Sequence, residues 1–229
     1  MDWKRKMLSI SKSLVYGFLV MSLLMSCKDS EVKEKSSRVV SLPYYKDASF
    51  TPNWLLVNSA ETDTFHSIPD FNLVNQLGDT INHATFESKI YVTDFFFTVC
   101  PGICPKMTDN MLILQEAFLE DDEVRFLSHS VTPRRDPVSV LRAYADNKGI
   151  IDNKWHLVTG DRTEIYDLGR NHYFVEEDLG KERDVDDFLH TENFLLIDKN
   201  KHIRGIYNGL NKAAITQLIA DIKTLKEEG

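Results

Sequence analysis

The sequence predicts an α/β sandwich, a mixed central sheet flanked by helices, and three observations carry that prediction. From residue 90 onward, short runs rich in β-branched and aromatic residues alternate with segments of helical apolar spacing. One run, residues 90–97 (Ile-Tyr-Val-Thr-Asp-Phe-Phe-Phe), is apolar enough to be buried on both faces, as a central strand is. The chain closes with two strand-like runs around a polar turn and a last amphipathic helix.

Composition narrows the function classes. The 229 residues, 42% of them hydrophobic, suit one domain of ordinary size with a real core and some additional chain. Acidic residues outnumber basic ones 35 to 27, for a net charge of −8, which argues against a nucleic-acid surface because phosphate binding needs clustered Lys and Arg. Three cysteines are too few for a disulfide-stapled scaffold, so each thiol needs its own explanation.

The elements follow in chain order. Lys4, Arg5 and Lys6 precede an apolar stretch over residues 14–25, about twelve residues where a membrane-spanning helix needs about twenty. That pattern predicts a signal peptide over residues 1–26. Leu24-Met25-Ser26-Cys27 resembles the lipobox of bacterial lipoproteins, in which the cysteine is lipidated, so Cys27 is the expected lipid anchor and the domain is expected in the periplasm. Removing residues 1–26 takes away Lys4, Arg5, Lys6, Lys12 and Asp2, leaving 23 basic and 34 acidic residues and a net charge of −11. Residues 28–38 are charged and nearly free of large apolar side chains; with continuation to about Leu42 they read as a flexible tether. The folded domain is then expected over residues 43–229.

Within it, the strand at 90–97 runs directly into cysteines. Pro105 suits a first helical turn, and Met107, Met111, Leu112, Leu114, Phe118 and Leu119 keep helical spacing, which makes both methionines core residues. Residues 124–131 read as the next strand. Asp136-Pro137 is expected to cap and open a helix to about Asp146, stopped by Gly149. Residues 155–159 make another strand, and Asp161 with Glu164 stands in capping-box spacing. Residues 194–197 and 203–207 flank a hairpin tip, and Asn211 opens a helix carrying Ile215, Leu218, Ile219, Ile222 and Leu225 on one stripe. This order is compatible with a thioredoxin-like fold.

Cys100-Pro101-Gly102-Ile103-Cys104-Pro105 sits where the buried strand meets a helix, the place where an α/β sheet presents its ligands. If the first helical turn holds both cysteines, their Cα separation falls within the roughly 4.4–6.8 Å that a disulfide allows. The helix N-terminus should lower the thiol pKa. Two such thiolates can exchange with a disulfide or hold a soft metal, which makes Cys100 and Cys104 a candidate redox-active pair and candidate metal ligands. Structural zinc would want a second cysteine pair, whereas copper(I) accepts two or three soft ligands. A third ligand has seven histidines to come from: His66, His83, His129, His156, His172, His190 and His202. His190 lies directly before the hairpin, at the end of the acid-rich stretch 176–187, and spacing alone does not choose it over His172.

Asn75-Gln76-Leu77-Gly78, the cysteine turn, Thr132-Pro133-Arg134-Arg135-Asp136-Pro137, Val158-Thr159-Gly160 and His190-Thr191 before the hairpin together resemble the Sco/SenC family over about residues 42–225. The resemblance implies a thioredoxin-like fold, membrane anchoring, and copper held by Cys100, Cys104 and His190. It further implies a role in building the dinuclear copper site of cytochrome c oxidase, by copper donation, by reduction of that subunit's cysteines, or both. The expected partners are therefore that copper-site subunit or another exported cuproprotein, together with the membrane through the lipid anchor, and a monomer is expected. Gly102, Thr132 and Leu189 stand where family members often carry an acid. The competing class is an enzyme: a thiol-disulfide oxidoreductase in which His190 only tunes the thiols, with a thiol peroxidase as a distant third.

Overall fold

The computed structural model describes residues 37–175, 189 and 191–228. Its sheet has seven strands: β1 (Leu73–Asn75), β2 (Thr80–Ile81), β3 (Ile90–Phe96), β4 (Val124–Ser130), β5 (Trp155–Thr159), β6 (Asn193–Ile197) and β7 (Ile203–Asn208). They run in the order β2-β1-β5-β4-β3-β6-β7. The central β5-β4-β3 pairs are parallel and the flanking pairs antiparallel, so the sheet is mixed as expected. Helices α1 (Ala60–Asp63), α2 (Cys104–Ala117), α3 (Val138–Lys148), α4 (Arg162–Asp167) and α5 (Lys212–Glu227) connect and cover it. No helix among the described residues is long and apolar enough to cross a membrane.

Strand periodicity sorts β3 onto two cores. Ile90, Val92 and Phe96 join Met107, Met111, Leu114, Leu141, Ile215, Leu218 and Ile222 beneath α2, α3 and α5. Tyr91 and Phe95, pointing the other way, join Phe71, Leu127, Ile165 and Tyr173. Both faces are dry, which explains the unbroken apolar run. Asn211 caps α5 through its side chain, and Gly149 ends α3 at φ 74, a left-handed position that suits glycine. Asp161 caps α4 by accepting from the Glu164 amide.

Two expectations change and one feature is added. Asp136 does not cap α3: the cap position is Pro137, with no side-chain hydrogen bond, and Asp136 is fully buried. The helix is instead opened by the fixed φ of proline, and the carboxylate is drawn inward by hydroxyls that need an acceptor. The expected tether also ends earlier than Leu42. Leu42 is buried in the first core, Val39 packs against it, and Ser37 donates to Asp221. The strands β1 and β2, absent from the sequence reading, are too short for a periodic signal. They are joined by a turn in which Asn75 Oδ1 accepts from the Leu77 and Asp79 amides and Gly78 adopts φ 86.

Arg204 ties the segment after the tether to the sheet. Its guanidinium donates to the Leu42 and Pro43 carbonyls, pairs with Asp198 at 3.2 Å and Glu228 at 2.5 Å, and lies 3.9 Å over the Tyr44 ring. At 2% exposure, this arginine cannot be removed without leaving the buried Asp198 and the partly buried Glu228 carboxylates without their cation. Arg204→Leu is expected to lower unfolding free energy by about 3–5 kcal/mol in urea titration; a loss under about 1 kcal/mol would contradict this role.

Candidate metal centre

Strand β3 ends at Phe96 and the chain turns at once. Thr98 donates through its hydroxyl to Asp136 Oδ1 at 2.5 Å, and its amide lies 3.4 Å from Oδ2. The same carboxylate accepts from Ser130 Oγ at 2.5 Å and Thr132 Oγ1 at 2.9 Å. Each hydrogen bond contributes on the order of 1 kcal/mol net, and losing a partner of a buried group costs more, so one buried side chain locks the loop after β3 to the loop after β4. Phe96 pairs in register with Ser130, which brings these two loops out at the same end of the sheet.

The two cysteines that follow occupy unlike environments. Helix α2 begins at Cys104, after Ile103 at the cap and with Pro105 in the first turn. Cys100 therefore precedes the helix, in the turn, and does not share the first helical turn with Cys104 as the spacing suggested. Burial acts to raise the Cys100 pKa. The hydrogen bond with Cys104 and the amides of Cys104, Gly102 and Ile103, which converge on its sulfur, outweigh burial and leave it lowered. This is the anion cradle of a helix start. Cys104 is only 5% exposed, and burial, together with its hydrogen bond to Cys100, pushes its pKa up to about 12. The expectation of lowered pKa values thus holds for Cys100 and is reversed for Cys104. Both thiols are free. Gly102 leaves Cys100 uncrowded: a Cβ there would stand 4.0 Å from the sulfur, so an acid is accommodated and its absence spares the thiolate a neighbouring negative charge.

Beneath the pair, Asp94 faces the same core as Cys104. It accepts a short hydrogen bond from Ser128, whose oxygen also accepts from Trp155 Nε1 at 2.8 Å. Burial raises the Asp94 pKa to about 7 against the Ser128 hydrogen bond, and its charge contributes to raising Cys104 and Tyr144. Thr108 donates to the Cys104 carbonyl at 3.0 Å and shares a 2.8 Å hydrogen bond with Tyr144. Nothing in the sequence reading identified Asp94; a lone acid within an otherwise apolar strand was the available signal.

The expected third ligand, His190, and the expected lipidation site, Cys27, lie outside the described residues. The other six histidines are placed elsewhere; His83 lies 4.0 Å from the Asp70 carboxylate. His129 and His156 are buried with pKa values driven by burial down to about 3 and about 4, and His202 bonds to the His66 carbonyl. His172 stands beside His66, ring centroids 6.3 Å apart, with Asp167 at 3.4 Å. Among the described residues no three His, Cys, Asp or Glu side chains form a metal-binding group. Leu189 is buried, and Gly169 lies so close to it and to Phe95 that an added Cβ would come within 2.6 Å of the leucine and 3.0 Å of the phenylalanine. The chain is therefore back at the cysteine end of β3 by residue 189.

A thioredoxin-like sheet that presents a Cys-x-x-x-Cys turn between its central strand and a helix places two free thiols where they can chemically hold a soft metal or exchange with a disulfide. The family model described as SCO1/SenC matches residues 59–227, and the chain belongs to that family. A SCO1/SenC family lipoprotein from Bacillus anthracis is 28% identical with a TM-score of 0.61, over 70% of this chain and 95% of that one. BsSco, whose structure identified a disulfide switch and which is described as a cytochrome c oxidase assembly protein, is 27% identical with a TM-score of 0.60, over 71% and 94%. ScoI from Bradyrhizobium japonicum, solved with copper bound, shares the fold at 23% identity and a TM-score of 0.55, over 72% and 99%.

Two outcomes test this electrostatic picture. In the reduced protein at pH 8, limiting iodoacetamide should label Cys100 before Cys104 by peptide mass mapping, and equal labelling would contradict the asymmetry. Asp94 has a folded pKa of about 7 against an ordinary value of 3.8, so the stability it contributes is complete below about pH 4 and is lost as pH rises to about 7. Asp94→Asn, which cannot ionise, should therefore gain on wild type by a few kcal/mol, on the order of three pKa units, between pH 4 and pH 8. A difference that stays flat over that range in urea titrations would contradict it.

Proposed function

We propose that this protein is a lipid-anchored copper carrier that assists assembly of the dinuclear copper site of cytochrome c oxidase. The cysteine turn supports this most strongly: hydrogen bonds lower the pKa of one thiol, and burial raises that of the other, which is largely withdrawn from water. Soft thiolates suit copper(I), and the cargo would displace the Cys104 proton, making uptake dependent on pH. His190 is proposed as the third ligand, from the family resemblance and from the absence of any three-ligand group among the described residues. Leu189, anchored next to Phe95, supports the return of the chain to this end of the sheet. The oxidase role comes from the family and from what is described for BsSco. Lipidation of Cys27 and a periplasmic location rest on the N-terminal pattern, and a relative's description as a lipoprotein favours them.

A second reading is favoured by the same split in thiol pKa. A low-pKa nucleophile next to a protonated partner is the arrangement that attacks a disulfide and then resolves the mixed intermediate. Reduction of the recipient's cysteines would use Cys100 to attack and Cys104 to release.

Titration of the reduced protein with copper(I) against a competing chelator tests the first reading. Wild type is expected to bind one equivalent, Cys100→Ser and Cys104→Ser to lose stoichiometric binding, and His190→Ala to bind at least tenfold more weakly, with His172→Ala unchanged. A wild type that binds no copper overturns the carrier reading, and a His190→Ala variant that binds as tightly as wild type removes His190 from the site.

A further inference from the structure

Among the described residues the four most exposed large apolar side chains are Val40 at 96%, Leu56 at 80%, and Trp54 and Val99 at 62% each. Val99 belongs to the cysteine turn. The other three lie between residues 40 and 56, on chain that the cysteine chemistry does not use. Tyr44 and Asn53 exchange both backbone hydrogen bonds, at 2.8 and 2.9 Å, so the run that starts at Trp54 departs beside the segment entering the domain. From Asn53 to Leu56 half-buried and exposed residues alternate, as in an extended run, which sets Trp54 and Leu56 on the same outward side. The run is held from behind: Val57 and Asn58 line one cleft with Tyr44, Ile90 and Arg204. Between residues 38 and 58 the charged side chains are Arg38, Lys46 and Asp47, a balance of +1 on a chain of −8. An apolar face with a tryptophan and no net negative charge suits the boundary of headgroups and acyl chains, where an indole buries its ring and keeps its N–H wet.

The course of the chain favours lipid as what covers this face. Ser37 donates to Asp221 and the Leu42 amide to Glu228, so the chain is fixed to the domain from there on. Ser37 stands ten residues after Cys27, the proposed lipid anchor, and ten residues reach at most about 36 Å when fully extended. The segment bearing Val40, with Trp54 beside it, is therefore the part of the domain tied closest to the bilayer. A lipid anchor limits distance and leaves orientation open, which apolar side chains on one face can set. Ile90, in the cleft with Val57 and Asn58, opens β3, whereas Cys100 follows the strand's other end. The seven residues of β3 advance about 20 Å. Acids at the Ile90 end are matched by cations, Glu123 by Lys199 at 2.9 Å and Asp121 by Lys226 at 2.5 Å. Lipid contact at this end turns the Cys100 turn towards the aqueous phase.

We propose that Val40, Trp54 and Leu56 form a face that rests in the surface of a lipid bilayer, holding the start of β3 towards the membrane and the Cys100 turn away from it. It rests on the lipid-anchor reading for what brings the face to the bilayer, whereas the affinity of the face for lipid does not depend on that anchor. The full chain is reconstituted with phosphatidylcholine vesicles, with or without bromine on the acyl chains, and its tryptophan emission is compared with that of Trp54→Phe. Trp155 is 1% exposed and Trp3 is common to both proteins, so the difference isolates Trp54. Brominated chains are expected to quench the Trp54 emission about twofold or more. Leu56→Asp and Val40→Asp, both changes at exposed positions, should each remove most of that quenching. Equal Trp54 emission in brominated and ordinary vesicles overturns the proposal, as does quenching that both variants leave intact. Cross-linked dimers that Leu56→Asp removes, without quenching by bromine, overturn it in favour of a second copy of this chain. Vesicle flotation and intact mass separate the two readings. Protein that floats with lipid on Cys27 and shows no Trp54 quenching keeps the anchor and loses the face. A chain with no lipid on Cys27 whose Trp54 is quenched keeps the face and overturns the anchor alone.

Discussion

The buried carboxylate of Asp136 is the interaction on which the site depends. A parallel β3–β4 pair delivers two loops to one end of the sheet, and nothing in strand pairing fixes how those loops lie. The hydroxyls of Thr98, Ser130 and Thr132 all donate to this one side chain, so the chain leaving β3 is held before it reaches Cys100. With the turn anchored on one side and α2 starting at Cys104 on the other, three backbone amides have little choice but to face the Cys100 sulfur. Charge and geometry at the thiol are therefore consequences of a clamp that makes no contact with it.

That turn produces an asymmetric pair from two chemically identical residues. Amide dipoles favour the thiolate at Cys100, whereas burial and the Cys100 hydrogen bond hold the proton on Cys104. Asp94, in the low-dielectric core behind, adds to the cost of a second negative charge. Of the two thiols, Cys100 gives up its proton the more readily, and binding of a soft cation would supply the reason for Cys104 to give up its own. The same asymmetry is compatible with copper binding and with the proposed reduction of a partner's cysteines.

How much was legible in the sequence followed from how local each feature is. Strands β3 to β7 and helices α2 to α5 announce themselves through periodicity, caps and breakers confined to a few neighbouring residues. The cysteine turn was legible for the same reason. The Asp136 clamp was misread as an N-cap because Asp-Pro before a helix has a local meaning; its real partners, Thr98 and Ser130, are brought near only by strand pairing. The fate of Cys104 was also invisible, since helix position argues for a low pKa and only tertiary burial reverses it.

The most direct measurement of the central claim is X-ray absorption at the copper edge of the reduced, copper(I)-loaded full chain, compared with its His190→Ala variant. The account predicts two sulfur scatterers and one imidazole nitrogen in wild type, with the sulfurs retained and the imidazole signal lost in the variant. A single sulfur, or a wild-type spectrum identical to that of the variant, would contradict a site built from Cys100, Cys104 and His190.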